Sequence, residues 1–343
     1  MKMRFVLGGI AGSFLAFFGG EPFGRAWDSG GHEIIATIAD GQLNPKARQA
    51  VADCARQMST STVSYDSVTL ACWMDDLRAS NLDLPDQGLF FTWHYVDLGI
   101  EPGDPMPSFQ PGSDNEYQGD AIQALKRAFV VLRGGTDPYV KTKAMACALA
   151  MHLVGDIHQP LHASTHYFHT PGGWLHQDRG GNLEYVVNEP AGDSKFSLHN
   201  FWDEAWRATF DEATGRVMID PQYQEQAGQH NAATVQPLAE VISHQPLPAG
   251  TNLKTDFEAW AWESHAVSEN FVYREITATE SKKYCRLSSV YVTRANAIAR
   301  ERLALAGARL AVLLNETLGA ADPVPPPAAY PAGPPGHGYE AGY

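Results

Sequence analysis

Residues 152–162 read HLVGDIHQPLH, and three histidines and an aspartate stand there in a run that otherwise looks like core. His152 and Asp156 are four apart, so on a helix they project from one face, one turn from each other. An imidazole and a carboxylate at that spacing suit zinc. Pro160 cannot continue the helix, so His162 is re-aimed and is expected to serve a different ion. His158 lies two positions past Asp156 and points elsewhere. It reads as a hydrogen-bonded histidine behind the site rather than as a ligand.

The same spacing recurs in LHNFWDE, where His199 and Asp203 are again four apart. One such pair is weak, because any acidic helix can set a histidine near an aspartate; two pairs with His162 are not. His32 in WDSGGHEIIA, Asp75 in WMDDLR and His94 in TWHYVD stand at the ends of apolar segments. Singly each has a plain alternative: a polar residue at a helix start, a solvated acid, a hydrogen-bonded core histidine. The amino-terminal segment changes that balance. Residues 1–26 join a basic start (MKMR), a short glycine-broken apolar stretch (FVLGGIAGSFLAFFGG) and small residues at Gly24 and Ala26, which reads as a cleaved secretory signal. The apolar stretch falls short of the ~20 residues of a spanning helix, so no stable membrane association is expected. Cleavage after Ala26 would make Trp27 the amino terminus, and a terminal amine with its own carbonyl can chelate a metal beside His32.

Further out, apolar residues recur at three- and four-residue spacing in 31–43, 45–58, 118–135, 138–158 and 291–318, which predicts amphipathic helices. Strand signals are sparse; NLEYVVNE at 182–189 is the best and reads as a short hairpin piece. The fold class is therefore all-α in the sense of mainly helical, with no repeat and no internal linker. Residues 27–320 form the expected domain, and the Pro/Gly-rich tail 321–343 is expected to be disordered, its His337 incidental.

The chain of 343 residues carries a formal charge of −14, and loss of Lys2, Arg4, Glu21 and Arg25 with the leader makes it more acidic still. A chain this acidic does not grip nucleic acid by a broad basic face. If the substrate is a phosphate ester, positive charge must be local, and bound metal ions supply it. An exported chain would be periplasmic or extracellular, where disulfides persist. The four cysteines, Cys54, Cys72, Cys147 and Cys285, allow three pairings that sequence does not separate. The working expectation is Cys54 with Cys72 and Cys147 with Cys285. No CxxC pair occurs, which argues against a cysteine-built zinc knuckle.

The ordered set WDSGGH, WMDDLR, WHYVD, HLVGDIHQPLH, DRGGN, LHNFWD and WAWES resembles the S1/P1 nucleases, zinc-dependent single-strand nucleases and 3′-nucleotidases. The resemblance runs from Trp27 to the last helix and implies a phospholipase C/P1 nuclease-like helical fold with a cleft holding three Zn²⁺. It implies one ion on Asp75, His94, His152 and Asp156, and a neighbour on the Trp27 amine and carbonyl, His32 and the bridging Asp156. The third would lie on His162, His199 and Asp203. Asp76 is left free, and Arg78 matches an arginine that contacts substrate phosphate. Tyr95 matches a base-stacking aromatic, with a core role as its alternative, and Asp97 matches a base-contacting acid. Asn182, in a tight turn, is a further candidate near the substrate. His166, His169 and His176 read as loop histidines, solvated or forming a weak extra site.

The implied chemistry is attack on phosphorus by a hydroxide shared between two ions, oriented by Asp75, with Arg78 neutralising the non-bridging oxygens and products carrying 5′-phosphates. Stacking on Tyr95 needs an unstacked base, so single-stranded DNA or RNA and nucleotides are the expected partners, with no protein partner implied. A zinc-dependent phospholipase C is the nearest rival; its last ligand is a glutamate, where this chain has Asp203. A non-catalytic zinc-binding protein is the second rival, but such proteins concentrate histidines in one flexible loop, and here they are spread along the chain.

Overall fold

The computed structural model describes residues 27–79, 81–84, 90–100, 119–169, 175–190, 195–278 and 284–319. The expected leader and tail lie outside them. The fold is mainly helical: α1 (Ser29–Asp40), α2 (Pro45–Met58), α3 (Trp73–Asp76), α4 (Ala121–Leu132), α5 (Lys143–Asp156), α6 (Leu198–Asp203), α7 (Ala232–Ser243), α8 (Phe257–Val267) and α9 (Ser289–Leu318). Among the described residues no helix is long and apolar enough to cross a membrane.

Side-chain caps set most helix starts. Asp28 accepts from the Gly31 amide at α1, Thr142 from Met145 at α5, and Ser288 from Tyr291 at α9. Ser197 and Asn200 form a reciprocal capping box that starts α6 one residue before Leu198. These caps satisfy amide donors that the first helical turn leaves open.

One helix departs from its sequence expectation. The segment around α5 reads as amphipathic, yet every residue from Ala144 to Asp156 is buried. The reason is its position: α4, α2, α9 and α1 all pack on it, so no face meets water. A helix so enclosed can be apolar all round. Its two buried polar residues, His152 and Asp156, are consequently carried into the interior, both 0% exposed.

The strands are short and peripheral. β1 (Gly99–Ile100) pairs in parallel with β2 (Thr165–His169), which pairs antiparallel with β3 (Leu175–Gln177). So His166 and its neighbours belong to a paired ribbon rather than a free loop; the side chains of His169 and His176 lie outside the described ones. β4 (Tyr185–Val186) is not the hairpin piece that 182–189 suggested. It pairs in parallel with β8 (Tyr284–Arg286), which also takes β7 (Thr277–Ala278), so its partner comes from far along the chain. β5 (Ala208–Asp211) and β6 (Arg216–Ile219) form the one local hairpin among the remaining described strands.

The cysteine pairing expected from sequence is also corrected. All four cysteines are buried. Cys54 on α2 lies in hydrogen-bonding contact with Cys147 on α5, because those two helices pack together. Cys72 faces the Ser29 carbonyl at 3.7 Å instead.

Candidate metal centre

Asp156, the last residue of α5, sits at the middle of the site. Its Oδ1 lies 3.3 Å from His32 Nε2, while its Oδ2 lies 3.1 Å from His94 Nδ1 and 3.3 Å from His152 Nε2. One carboxylate thus turns its two oxygens to two histidine sets. The His32 and His152 rings stack at 4.0 Å, and His94 meets His152 edge-on. Asp75, from α3, completes the group: donor atoms of His32, Asp75 and His152, and separately of His94, His152 and Asp156, lie within 4.8 Å of one another.

A second cluster lies one turn of chain away. Pro160 opens a 3-10 turn, Pro160–Ala163, that swings His162 out of line with α5. Donor atoms of His162, His199 and Asp203 again lie within 4.8 Å. The two clusters are joined by the backbone, since His162 Nδ1 donates to the carbonyl of His94 at 2.6 Å.

Electrostatics and proton bookkeeping bear on what these clusters can hold. His162 Nδ1 donates to a carbonyl, and so does His199 Nδ1, to Gly180 at 2.6 Å. Their Nε2 atoms face each other at 3.0 Å, with a carboxylate oxygen of Asp203 in the same group. Two nitrogens on one tetrahedral zinc sit ~3.3 Å apart, given bonds of ~2.0–2.1 Å. At the first cluster His152 Nδ1 donates to the Ala71 carbonyl at 2.7 Å, which turns its Nε2 toward His94 Nδ1 at 3.0 Å. Both nitrogens of His32 and an oxygen each of Asp75 and Asp156 are buried without a hydrogen-bond partner. Orphaned donors of this kind are costly in a core and natural around a metal.

Protonation follows the burial. Burial, offset in part by Asp156, holds His94 down at about 4. Burial also opposes charge on His152, but Asp156 and Asp75 overcome it and draw the ring up to about 9. Burial drives the Asp203 carboxyl well above its ordinary range.

The other expected residues fall around these clusters. Trp27 is fully buried, its indole donating to the Gly155 carbonyl at 2.9 Å, while the Asp28 amide donates to the Asp203 carbonyl. Arg78 approaches Asp75 at 3.9 Å and lies over the Phe91 ring. Tyr95 is 38% exposed, which removes the core alternative for that ring. Asp97 is half-buried two residues on. Asn182 donates to the Arg179 carbonyl at 2.8 Å, closing the DRGGN turn. In that turn Gly180 has a φ of +61°, and a Cβ there would lie 2.5 Å from the Leu161 carbonyl oxygen, so only glycine presents its own carbonyl to His199. His158 lies behind the site: it donates to the Val154 carbonyl and accepts from Arg309. Burial, with Arg302 and Arg309 nearby, keeps it neutral.

Several contributors had no usable sequence signal. The Ala71, His94 and Gly180 carbonyls that fix the rings are backbone atoms. Gln159, whose amide donates to Asp203 Oδ1 at 2.7 Å, stood inside the opening motif but reads there as an ordinary polar residue. Asp28 caps α1 and also accepts from Trp206 and pairs with Arg207.

A buried array of histidines and aspartates on a helical frame, with their donor atoms turned toward one another, is the lining of a metal centre. The chain belongs to the S1/P1 nuclease family: the profile described as S1/P1 Nuclease matches residues 27–319. It is also similar to Endonuclease 2 of Arabidopsis thaliana, 23% identical over 318 residues, covering 86% of this chain and 91% of that protein. Family and clusters together support a zinc-dependent nuclease or phosphodiesterase.

Proposed function

We propose that this chain is an exported phosphodiesterase that cleaves single-stranded DNA and RNA, and smaller 3′-nucleotides, to products bearing 5′-phosphates. The observation that carries the proposal is the gathering of His162, His199 and Asp203, with the two Nε2 atoms 3.0 Å apart, beside a second cluster centred on Asp156. The donors would hold three zinc ions: Asp75, His94, His152 and Asp156 one, Trp27, His32 and Asp156 the next, and His162, His199 and Asp203 the third. Bound zinc supplies Lewis acidity and lowers the pKa of water.

The chain's own groups do the rest. The buried carboxylate of Asp75 would orient the attacking water. Arg78 supplies fixed positive charge to the non-bridging oxygens of the phosphate. Tyr95, exposed and next to His94, offers a ring on which an unstacked base can lie, with Asp97 two residues on and Asn182 in the turn whose Gly180 carbonyl holds His199. Each of these contacts reaches one or two nucleotides, which suits an acidic chain better than tracking a duplex. The name of the Arabidopsis relative, an endonuclease, agrees with a polymeric substrate.

The test is hydrolysis of single-stranded DNA and of a short-chain phosphatidylcholine by the secreted protein, each with chelator and with zinc restored. DNA cleavage that zinc restores, leaving 5′-phosphates, is the expected result. Phosphatidylcholine cleavage without DNA cleavage would replace the substrate, and zinc binding with neither reaction would leave a non-catalytic protein.

A further inference from the structure

Glu33 follows His32 on α1 but faces a different group of residues. It is fully buried, and neither of its carboxylate oxygens has a hydrogen-bond partner. Around it stand Cys72, at the end of the 3-10 turn Thr69–Cys72, and His230, in the loop before α7. One donor atom from each of Glu33, Cys72 and His230 lies within 4.8 Å of the others. Glu225 lies against Glu33 and His230: its carboxyl stands beside that of Glu33, its Oε2 is 3.1 Å from His230 Nδ1, and its Oε1 accepts from the Asn231 amide. Asp76 stands behind: it meets His230 Nε2 at 2.9 Å and accepts from Tyr65 and the Gly228 amide, so its oxygens are already used.

We infer that Glu33, Cys72 and His230, with Glu225 as the fourth donor, form a separate structural zinc site. An orphaned buried carboxylate aimed at a thiol and an imidazole is a donor set with one component missing. Thiolate, imidazole and carboxylate in a four-donor shell select zinc among the divalent ions. Asp76 on the histidine ring is the arrangement that orients a metal-ligating imidazole. Cys72 and Glu33 are buried to 1% and 0%, which leaves no room for substrate, so the site is closed. It would tie α1, the Thr69–Asp76 segment and the loop from Glu225 to His230 into one unit. Those first two pieces also carry His32 and Asp75. The inference does not depend on the phosphodiesterase reading, because the clusters of that reading contain no sulfur.

That difference supplies the test. The secreted protein is stripped with chelator, reloaded with Co²⁺, and its near-ultraviolet spectrum is read for thiolate-to-cobalt charge transfer. The band is expected in the parent, absent in Cys72→Ser, and retained in Cys54→Ser, Cys147→Ser, Cys285→Ser and Asp156→Asn. Zinc-loaded Glu33→Gln, weighed by native mass spectrometry, is expected to hold one ion fewer than the parent. Absence of the band in the parent, or its persistence in Cys72→Ser, would overturn the inference even if the protein cleaves DNA. A band in a protein that cleaves nothing would leave this site standing and remove the proposed function.

Discussion

Asp156 and His158 are two residues apart and equally buried, yet their neighbours give them opposite work. The Asp156 oxygens divide between His32 and the His94–His152 pair, whereas His158 joins the Val154 carbonyl to Arg309. Asp156→Asn removes charge from the centre of the site. It is expected to cost more than the ~10–100-fold typical of groups hydrogen-bonded behind a ligand. His158→Ala should instead cost ~1–3 kcal/mol of stability, the range for a lost buried partner, with most activity kept below the melting temperature. Metal content, kcat/KM and thermal melting of the two variants decide this; equal losses of activity would mean the shell is misassigned. At this scale the sequence was informative for ligand types, since i and i+4 spacing on a helix is fixed geometry. It was silent on the carbonyls of Ala71, His94 and Gly180, because any residue supplies a carbonyl.

Between elements, the site depends on how closely α1 and α5 approach. Gly155 is the contact point: a Cβ there would lie 2.8 Å from His32 Nδ1 and 3.1 Å from Ile35. Gly155→Ala is expected to push the His32 ring aside, at an overpacking cost of ~1–3 kcal/mol. The measurement is zinc content beside thermal melting, with loss of metal exceeding what the melting shift explains; unchanged metal content would show that the ring can yield without leaving its ion. The α2–α5 contact makes a second prediction. Non-reducing peptide mapping of the secreted protein should join Cys54 to Cys147 and leave Cys72 and Cys285 unpaired. A Cys54–Cys72 link would contradict the packing. Neither the glycine nor the cysteine contact was legible in sequence, since both depend on which residues of two distant helices meet.

For the molecule as a whole, the amino terminus and the interior clusters have to be considered together. Trp27 is locked by its indole to the residue before Asp156, and the Asp28 amide is bonded to the backbone of Asp203. The start of the domain therefore lies across the elements that carry both clusters. If the freed Trp27 amine is a ligand, a protein made with one extra residue before Trp27 should bind less zinc and lose most of its activity. Full zinc and full activity in that protein would remove Trp27 from the shell. The sequence by itself determined the mainly helical character and the order of the His and Asp pairs. It also made His158 the odd member of its motif, because periodicity, proline breaks and side-chain chemistry act within a few residues. Only the tertiary structure decided that α5 is enclosed on every side, that β4 pairs with β8, and that Cys54 meets Cys147. It alone also gathered Glu33, Cys72 and His230 into one pocket. Each of these joins residues far apart in the chain, and their meeting is set by the packing of whole helices, which local patterns do not encode.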